Sequence, residues 1–474
     1  MPSQSRFSCP VALVVIANLA MGISRGEPPV IEAARATPVT RPAMKRMLEE
    51  MKSRRERIPL PDPTDTEQAA AAEDPTALFY ENRLRTLYLP GTEFRGYLGF
   101  AGTAPKRSNA PPPKVVIEPD PAVTLDYGFK TRLFWIASRV NNCQYCLGHQ
   151  ESKLLAVGMS DDDLARLDTD WRGFPDNEQA AFALARKLTL APGNITDADI
   201  AACLSHFTPK EVLEMSLSIG GNNAINRWKE GIGVAQAGNG GNSGWAQASV
   251  SGVHSYLTPT TDRFETIASA VAILSSVKPG DDLVATAPTP LPSAEEIAAG
   301  LATARLRSAR LPLVDETEAR SVLDDLAPAG AIPHWMRLLA HFSLAGPRMV
   351  TAFDLTAAAP GLSPLEQARI AWTVARRNQA WYALGLAEAR LRVQGADDAA
   401  ILDLAGPQSG LSAADRAILL VADRLAASPV ICTDADFETA LEATSPETMV
   451  RVVHEVAMQS LFDRFTEAAG LTLE

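Results

Sequence analysis

The residues of this chain whose types and spacing could do chemistry are Cys143, Cys146 and His149, in the segment NNCQYCLGHQ at 141–150. Two cysteines three positions apart on a helix lie about 60° apart around its axis, at roughly 100° per residue, so their sulfurs can be joined with modest movement. Asn141 and Asn142 interrupt a strongly apolar run, and asparagine is a good N-cap. A helix is therefore expected to resume with Cys143 in its first turn. There the positive end of the helix dipole stabilises a thiolate, the form that attacks peroxides and disulfides. His149 follows one turn after Cys146, where an imidazole can accept or return the thiol proton. A zinc site wants four ligands, usually from two separated pairs, and the sequence offers no second Cys or His pair.

The other three of the five cysteines read differently. Cys9 lies in the possible N-terminal signal, while Cys203 and Cys432 each stand alone in apolar surroundings and are expected to be small buried hydrophobes. Five cysteines do not make a disulfide framework in a chain of 474 residues. Trp135 and Tyr145 are expected in the core beside the thiols. In GGNNAINRWKEG at 220–231, Asn223, Asn226 and Arg227 would share much of one helical face, and a counterpart of Arg227 elsewhere in the chain favours a structural role.

The segment NNCQYCLGHQ resembles the carboxymuconolactone decarboxylase-like family, in particular its alkylhydroperoxidase D-like branch. The resemblance spans a core of roughly 110 residues, present twice. It implies an all-helical fold that commonly oligomerises, and peroxide reduction through an internal disulfide, with Cys146 attacking, Cys143 resolving and His149 near by. Two positions depart from the family pattern. Gln150 stands where the family histidine often sits, with His149 one place earlier, and Thr131, flanked by Lys130 and Arg132, stands where the glutamate of the proton relay is expected.

The elements that must position this cluster come from a duplication, because residues 126–234 match residues 363–471 at a constant offset of 237. Ile195-Thr-Asp-Ala-Asp199 aligns with Cys432-Thr-Asp-Ala-Asp436, Pro209 with Pro446, Arg227 with Arg464, Arg132 with Arg369 and Asn141 with Asn378. The thiol positions become Ala380 and Ala383 and the histidine becomes Leu386, so the second copy cannot do thiol chemistry and is expected to complete a pseudo-two-fold pair as a structural half. A lead-in repeats as well, RIPLPD at 57–62 against RLPLVD at 310–315, now offset by 253; the difference is assigned to a proline-rich insertion near 105–121. Both copies read as all-α. DNEQAAFALARKLTL at 176–190 places Ala180, Phe182, Ala183, Leu184 and Leu188 along a mostly apolar face, and Thr196, then Thr208 with Pro209 and Glu211, mark helix starts.

These signals divide the chain into a possible signal peptide or N-terminal extension at 1–27, a first helical domain at 44–240, a linker at 241–292 with one helix near 263–277, and a second, degenerate domain at 293–474. The net charge of -12 is dispersed and no helix carries a basic stripe, which argues against a nucleic-acid partner, and the apolar N-terminal stretch is short for a membrane span. The expected function is a thiol-dependent peroxidase that reduces peroxides or organic hydroperoxides, is regenerated by an external dithiol reductant and needs no bound cofactor or metal. A disulfide reductase or redox sensor, or a non-catalytic scaffold, are the alternatives.

Overall fold

The computed structural model describes residues 33–38, 41–73, 75–90, 100, 118–235 and 285–474. Residues 1–27, the linker helix near 263–277 and most of the proline-rich insertion lie outside the described residues. The fold is all-α, with no strand among the described residues.

The first repeat is led in by α1 (Arg41–Glu50), α2 (Asp65–Glu73) and α3 (Tyr80–Tyr88). It continues with α4 (Tyr127–Val140), α5 (Gln144–Ala156), α6 (Asp161–Thr169), α7 (Asp176–Leu190), α8 (Asp197–Leu204) and α9 (Pro209–Ile232). The second is led in by α10 (Ala294–Leu306), α11 (Glu316–Leu323), α12 (His334–Leu339) and α13 (Ala345–Ala358), and continues with α14 (Pro364–Asn378), α15 (Trp381–Val393), α16 (Asp398–Asp403), α17 (Ala413–Ala426), α18 (Asp434–Ala443) and α19 (Pro446–Ala468). Each helix from α4 to α9 starts 237 residues before its counterpart from α14 to α19.

The starts coincide because the capping residues do. Thr196 accepts from Asp199 N and Thr433 from Asp436 N, each as a capping box, and Thr208 with Glu211 closes another ahead of Pro209. Such a cap is worth about 1 kcal/mol and satisfies N–H groups that no intrahelical carbonyl can reach. The α7 face departs from the expectation in detail: Ala181 and Ala185 are buried with Phe182, Leu184 and Leu188, while Ala183 is exposed. With alanine at 180, 181, 183 and 185, the sequence could not fix the rotation of the helix to better than one residue.

The long helices α9 and α19 form the centre and are buried over most of their length. They approach closely at glycine: a Cβ on Gly220 would lie 2.8 Å from Leu461 Cδ1, and one on Gly231 would lie 2.5 Å from Val453 Cγ1. Across the junction Arg227 Nη2 donates to Ala426 O at 2.9 Å and to Ser428 Oγ at 2.6 Å, while Arg464 Nη2 donates to Thr189 O at 2.9 Å. Thr189 and Ala426 are themselves equivalent positions, so each arginine reaches the same site on the opposite repeat. Burial pulls both guanidiniums down, Arg464 to about 10.

Candidate functional site

The thiols sit at an elbow between α4 and α5. Asn141 ends α4 and Asn142 turns the chain with φ 56°, a left-handed conformation that asparagine tolerates better than most residues. Cys143 is the N-cap of α5 and Cys146 lies in its first turn. The sequence expectation is corrected here: neither asparagine caps α5, and Cys143 stands one step outside the helix, because Asn142 is used for the turn. Cys143 N donates to Ser138 O at 3.0 Å and Leu147 N to Cys143 O at 2.9 Å, which close the elbow.

That elbow survives in the second repeat. Gln379 has φ 54°, Ala380 N donates to Ala375 O at 2.8 Å, and Leu384 N donates to Ala380 O at 2.8 Å. The turn is thus a property of the scaffold, and the thiols are a chemical addition to it.

A network from the asparagine run on α9 pins the elbow. Asn141 Nδ2 donates to Asn223 Oδ1 and Asn226 Oδ1, both at 2.8 Å, and Ser428 Oγ from the second repeat donates to Asn141 Oδ1 at 2.8 Å. Asn222 donates to Phe134 O at 3.0 Å and to Ser138 Oγ at 3.1 Å. Each buried amide left unmade would cost about 1–3 kcal/mol, so the network fixes the elbow strongly.

Cys143 and Cys146 are joined as a disulfide, with Cα atoms 5.3 Å apart. Both are buried, as are Trp135 and Tyr145 beside them. His149 stacks on Tyr145 with ring centroids 4.3 Å apart, and its Nδ1 lies 2.9 Å from Tyr145 O. That carbonyl can only accept, so Nδ1 carries the proton and Nε2 is the basic nitrogen. Burial pushes the imidazole down to about 4, with Lys153 and Lys229 acting in the same direction. His149 is therefore neutral near pH 7, and the same burial makes it a weaker base than an ordinary imidazole.

Three residues that the sequence reading missed complete the surroundings. Lys229 holds its ammonium 4.7 Å from the centroid of the Tyr145 ring and pairs with Glu81 of α3, which also accepts from Trp228 Nε1 at 2.8 Å. Burial alone would raise the Glu81 carboxyl, but Lys229 and Arg85 hold it down at about 2. Lys229 falls inside the polar run at 220–231, yet nothing local marks Glu81, 148 residues away, as its partner.

The departures from the family pattern are also placed. Thr131 is buried and spends its hydroxyl on Tyr127 O at 2.7 Å. Lys130 is fully buried and paired with Glu214, which also accepts from Thr124 N at 2.8 Å and Leu125 N at 3.0 Å. Gln150 is buried, with its amide 3.4 Å from Asn222 Oδ1.

Cys203 and Cys432 are buried and unpaired, and desolvation pushes their thiols up to about 12 and about 11, so neither offers a thiolate near pH 7. Among the described residues no cluster of three or more His, Cys, Asp or Glu is arranged to hold a metal, and no helix is long and apolar enough to cross a membrane.

A scan against protein-family models finds no match and a search of curated proteins finds none either, so the functional reading rests on the geometry around Cys143 and Cys146.

Proposed function

We propose that the protein is a thiol-dependent peroxidase-like oxidoreductase of the alkylhydroperoxidase D-like type, cycling Cys143 and Cys146 between dithiol and disulfide. In the reduced state Cys146 attacks the terminal oxygen of a hydroperoxide as thiolate. The O–O bond breaks, an alcohol or water leaves with one proton, and Cys146 becomes a sulfenic acid. Cys143 then displaces water to form the disulfide, and an external dithiol returns two electrons and two protons. His149 Nε2 takes the thiol proton. The observation that carries the reading is the Cys143–Cys146 bond at the start of α5, beside a neutral histidine and within an elbow that the second repeat builds without sulfur.

Burial of both sulfurs favours a small peroxide over a protein disulfide, whose sulfur would have to reach Cys146 through the surrounding core. The redox-sensor reading keeps one observation in its favour, namely that Thr131 gives the site no carboxylate at the relay position. The reciprocal contacts of Arg227 and Arg464 support a pseudo-two-fold pairing in which the second repeat serves the first as a structural half.

The test is a thiol count on the reduced protein before and after one equivalent of hydroperoxide, followed by steady-state turnover with a dithiol donor. Loss of two thiols with sustained turnover is expected. Loss of two thiols without turnover leaves the sensor reading, and an unchanged count leaves the scaffold.

A further inference from the structure

We infer that the second repeat holds a binding site for a small neutral hydroxyl compound, a short-chain alcohol in chemistry, at the place where the first repeat holds its thiols. A cavity of about 60 Å³ opens there, lined by Ala383 and Leu386, the counterparts of Cys146 and His149, together with Trp335, Phe353, Glu455 and Gln459. Phe462 completes an aromatic wall, with Trp335, Phe353 and Phe462 meeting edge to face at centroid distances of 5.5 to 5.6 Å.

One wall residue is out of place in such a lining. Glu455 is 7% exposed, and its Oε2 has no hydrogen-bond partner. A buried acceptor left unmade is costly, and cavities that keep one are commonly completed by a ligand or water. At the positions equivalent to Glu455 and Gln459 the first repeat carries Ser218, which donates to Phe100 O at 2.7 Å, and Asn222, which donates to Phe134 O at 3.0 Å; the unpaired buried acceptor near there is the amide oxygen of Gln150, not a carboxylate. An unpaired carboxylate at this position is thus particular to the second repeat.

Charge and size select the ligand. Burial pushes the Glu455 carboxyl up while Arg451 and Arg390 pull it down, and Arg390 itself lines the cavity, so carboxyl and guanidinium charge offset each other and the site favours neither a cation nor an anion. A hydroxyl both donates and accepts, and it can pair with Oε2 whether or not the carboxyl is protonated. At about 10–15 Å³ for each water-sized position, the cavity takes about four to six non-hydrogen atoms. The alkyl part lies against the aromatic wall.

The experiment is saturation-transfer NMR on the full chain with 1-butanol, n-butylammonium and butyrate as probes. Transfer to 1-butanol is expected to exceed that to either ion by about fivefold, the equivalent of one hydrogen bond of about 1 kcal/mol. Ala383→Leu, which fills the cavity, should abolish it. Glu455→Leu should weaken it by a similar factor, and Glu455→Gln should retain most of it. Where Ala383→Leu does not keep the parent circular dichroism spectrum, Leu386→Phe closes the cavity from the half-buried side. Absence of transfer to 1-butanol, equal transfer to an ion, or transfer unchanged by filling the cavity would each overturn the assignment.

Discussion

Arg57 and Arg310 make the same contacts on opposite repeats. Arg57 donates from Nε to Asp434 Oδ1 at 2.6 Å, from Nη1 to Glu230 O at 2.9 Å and from Nη2 to Cys432 O at 3.1 Å. Arg310 donates from Nε to Asp197 Oδ1 at 2.7 Å, from Nη1 to Glu467 O at 2.6 Å and from Nη2 to Ile195 O at 3.0 Å. Every acceptor on one side is the counterpart of the acceptor on the other. Each lead-in thus ties the end of its own long helix to the helix start of the opposite copy.

The two ties differ in burial, and that sets their worth. The Arg57–Asp434 side chains are 4% and 5% exposed, whereas Asp197 is 93% exposed. Arg57→Ala removes the guanidinium that meets the buried Asp434 carboxylate and is expected to cost about 3–5 kcal/mol. Arg310→Ala should cost about 1–2 kcal/mol, mostly through its carbonyl contacts, because an exposed pair contributes little. Urea unfolding of the two variants measures the difference; equal losses would contradict the assignment.

In the proposed cycle, two opposing arguments bear on which sulfur attacks. A cap position favours the Cys143 thiolate by a dipole effect of about 0.3–1 kcal/mol, but Cys146 also lies in the first turn and has His149 one turn further on. Treated with peroxide, Cys143→Ser should accumulate a sulfenic acid at Cys146, trapped by a sulfenate-specific reagent and located by peptide mass. Cys146→Ser should remain unlabelled, and the reverse pattern would assign attack to Cys143.

Burial lowers His149 to about 4 and His454 to about 3, below the ordinary 6.5 expected in the unfolded chain. Between about pH 6.5 and 4 the unfolded chain therefore binds protons that these folded imidazoles do not. Their contribution is fully present above pH 6.5 and is lost as the pH falls towards 4. Asp463 and Glu56, raised to about 7 by burial, act in the opposite sense, so the informative quantity is a difference between variants. His149→Gln should lose less stability than the parent between pH 7 and 4.5. Parallel curves from denaturant midpoints would refute the neutral folded state of His149.

Glu81 serves three donors and Lys229 serves one carboxylate, so the pair should respond unequally to mutation. Glu81→Gln removes the carboxylate that Lys229 and Arg85 share and is expected to cost about 3–5 kcal/mol. Lys229→Met leaves Glu81 with Arg85 and Trp228 and should cost less. Thermal unfolding of both variants is the measurement, and a larger loss in Lys229→Met would reverse the ranking.

What the sequence disclosed follows from the range over which its signals act. Thr196, Thr208 and Thr433 mark helix starts because a cap and its acidic partner lie within one turn, and the repeat is visible because the spacing of those caps was kept. The thiol pair is equally local. The role of Asn142 was not legible, since cap and left-handed turn draw on the same residue type. Glu81 beneath Lys229, Arg57 on Asp434 and the orphan carboxylate of Glu455 depend on packing between segments far apart in sequence, which no local pattern encodes.

The crossed ties of Arg57 and Arg310 also bear on how the two copies stay together. Two separate chains joined by such an interface would part on dilution, with a stability that depends on protein concentration. Carried on one chain, the partner is always present at the high effective concentration that a linker imposes. Under the proposed function, the half that carries Cys143 and Cys146 can then work at any dilution, and its companion can dispense with cysteine and histidine so long as it keeps the surface that receives Arg57.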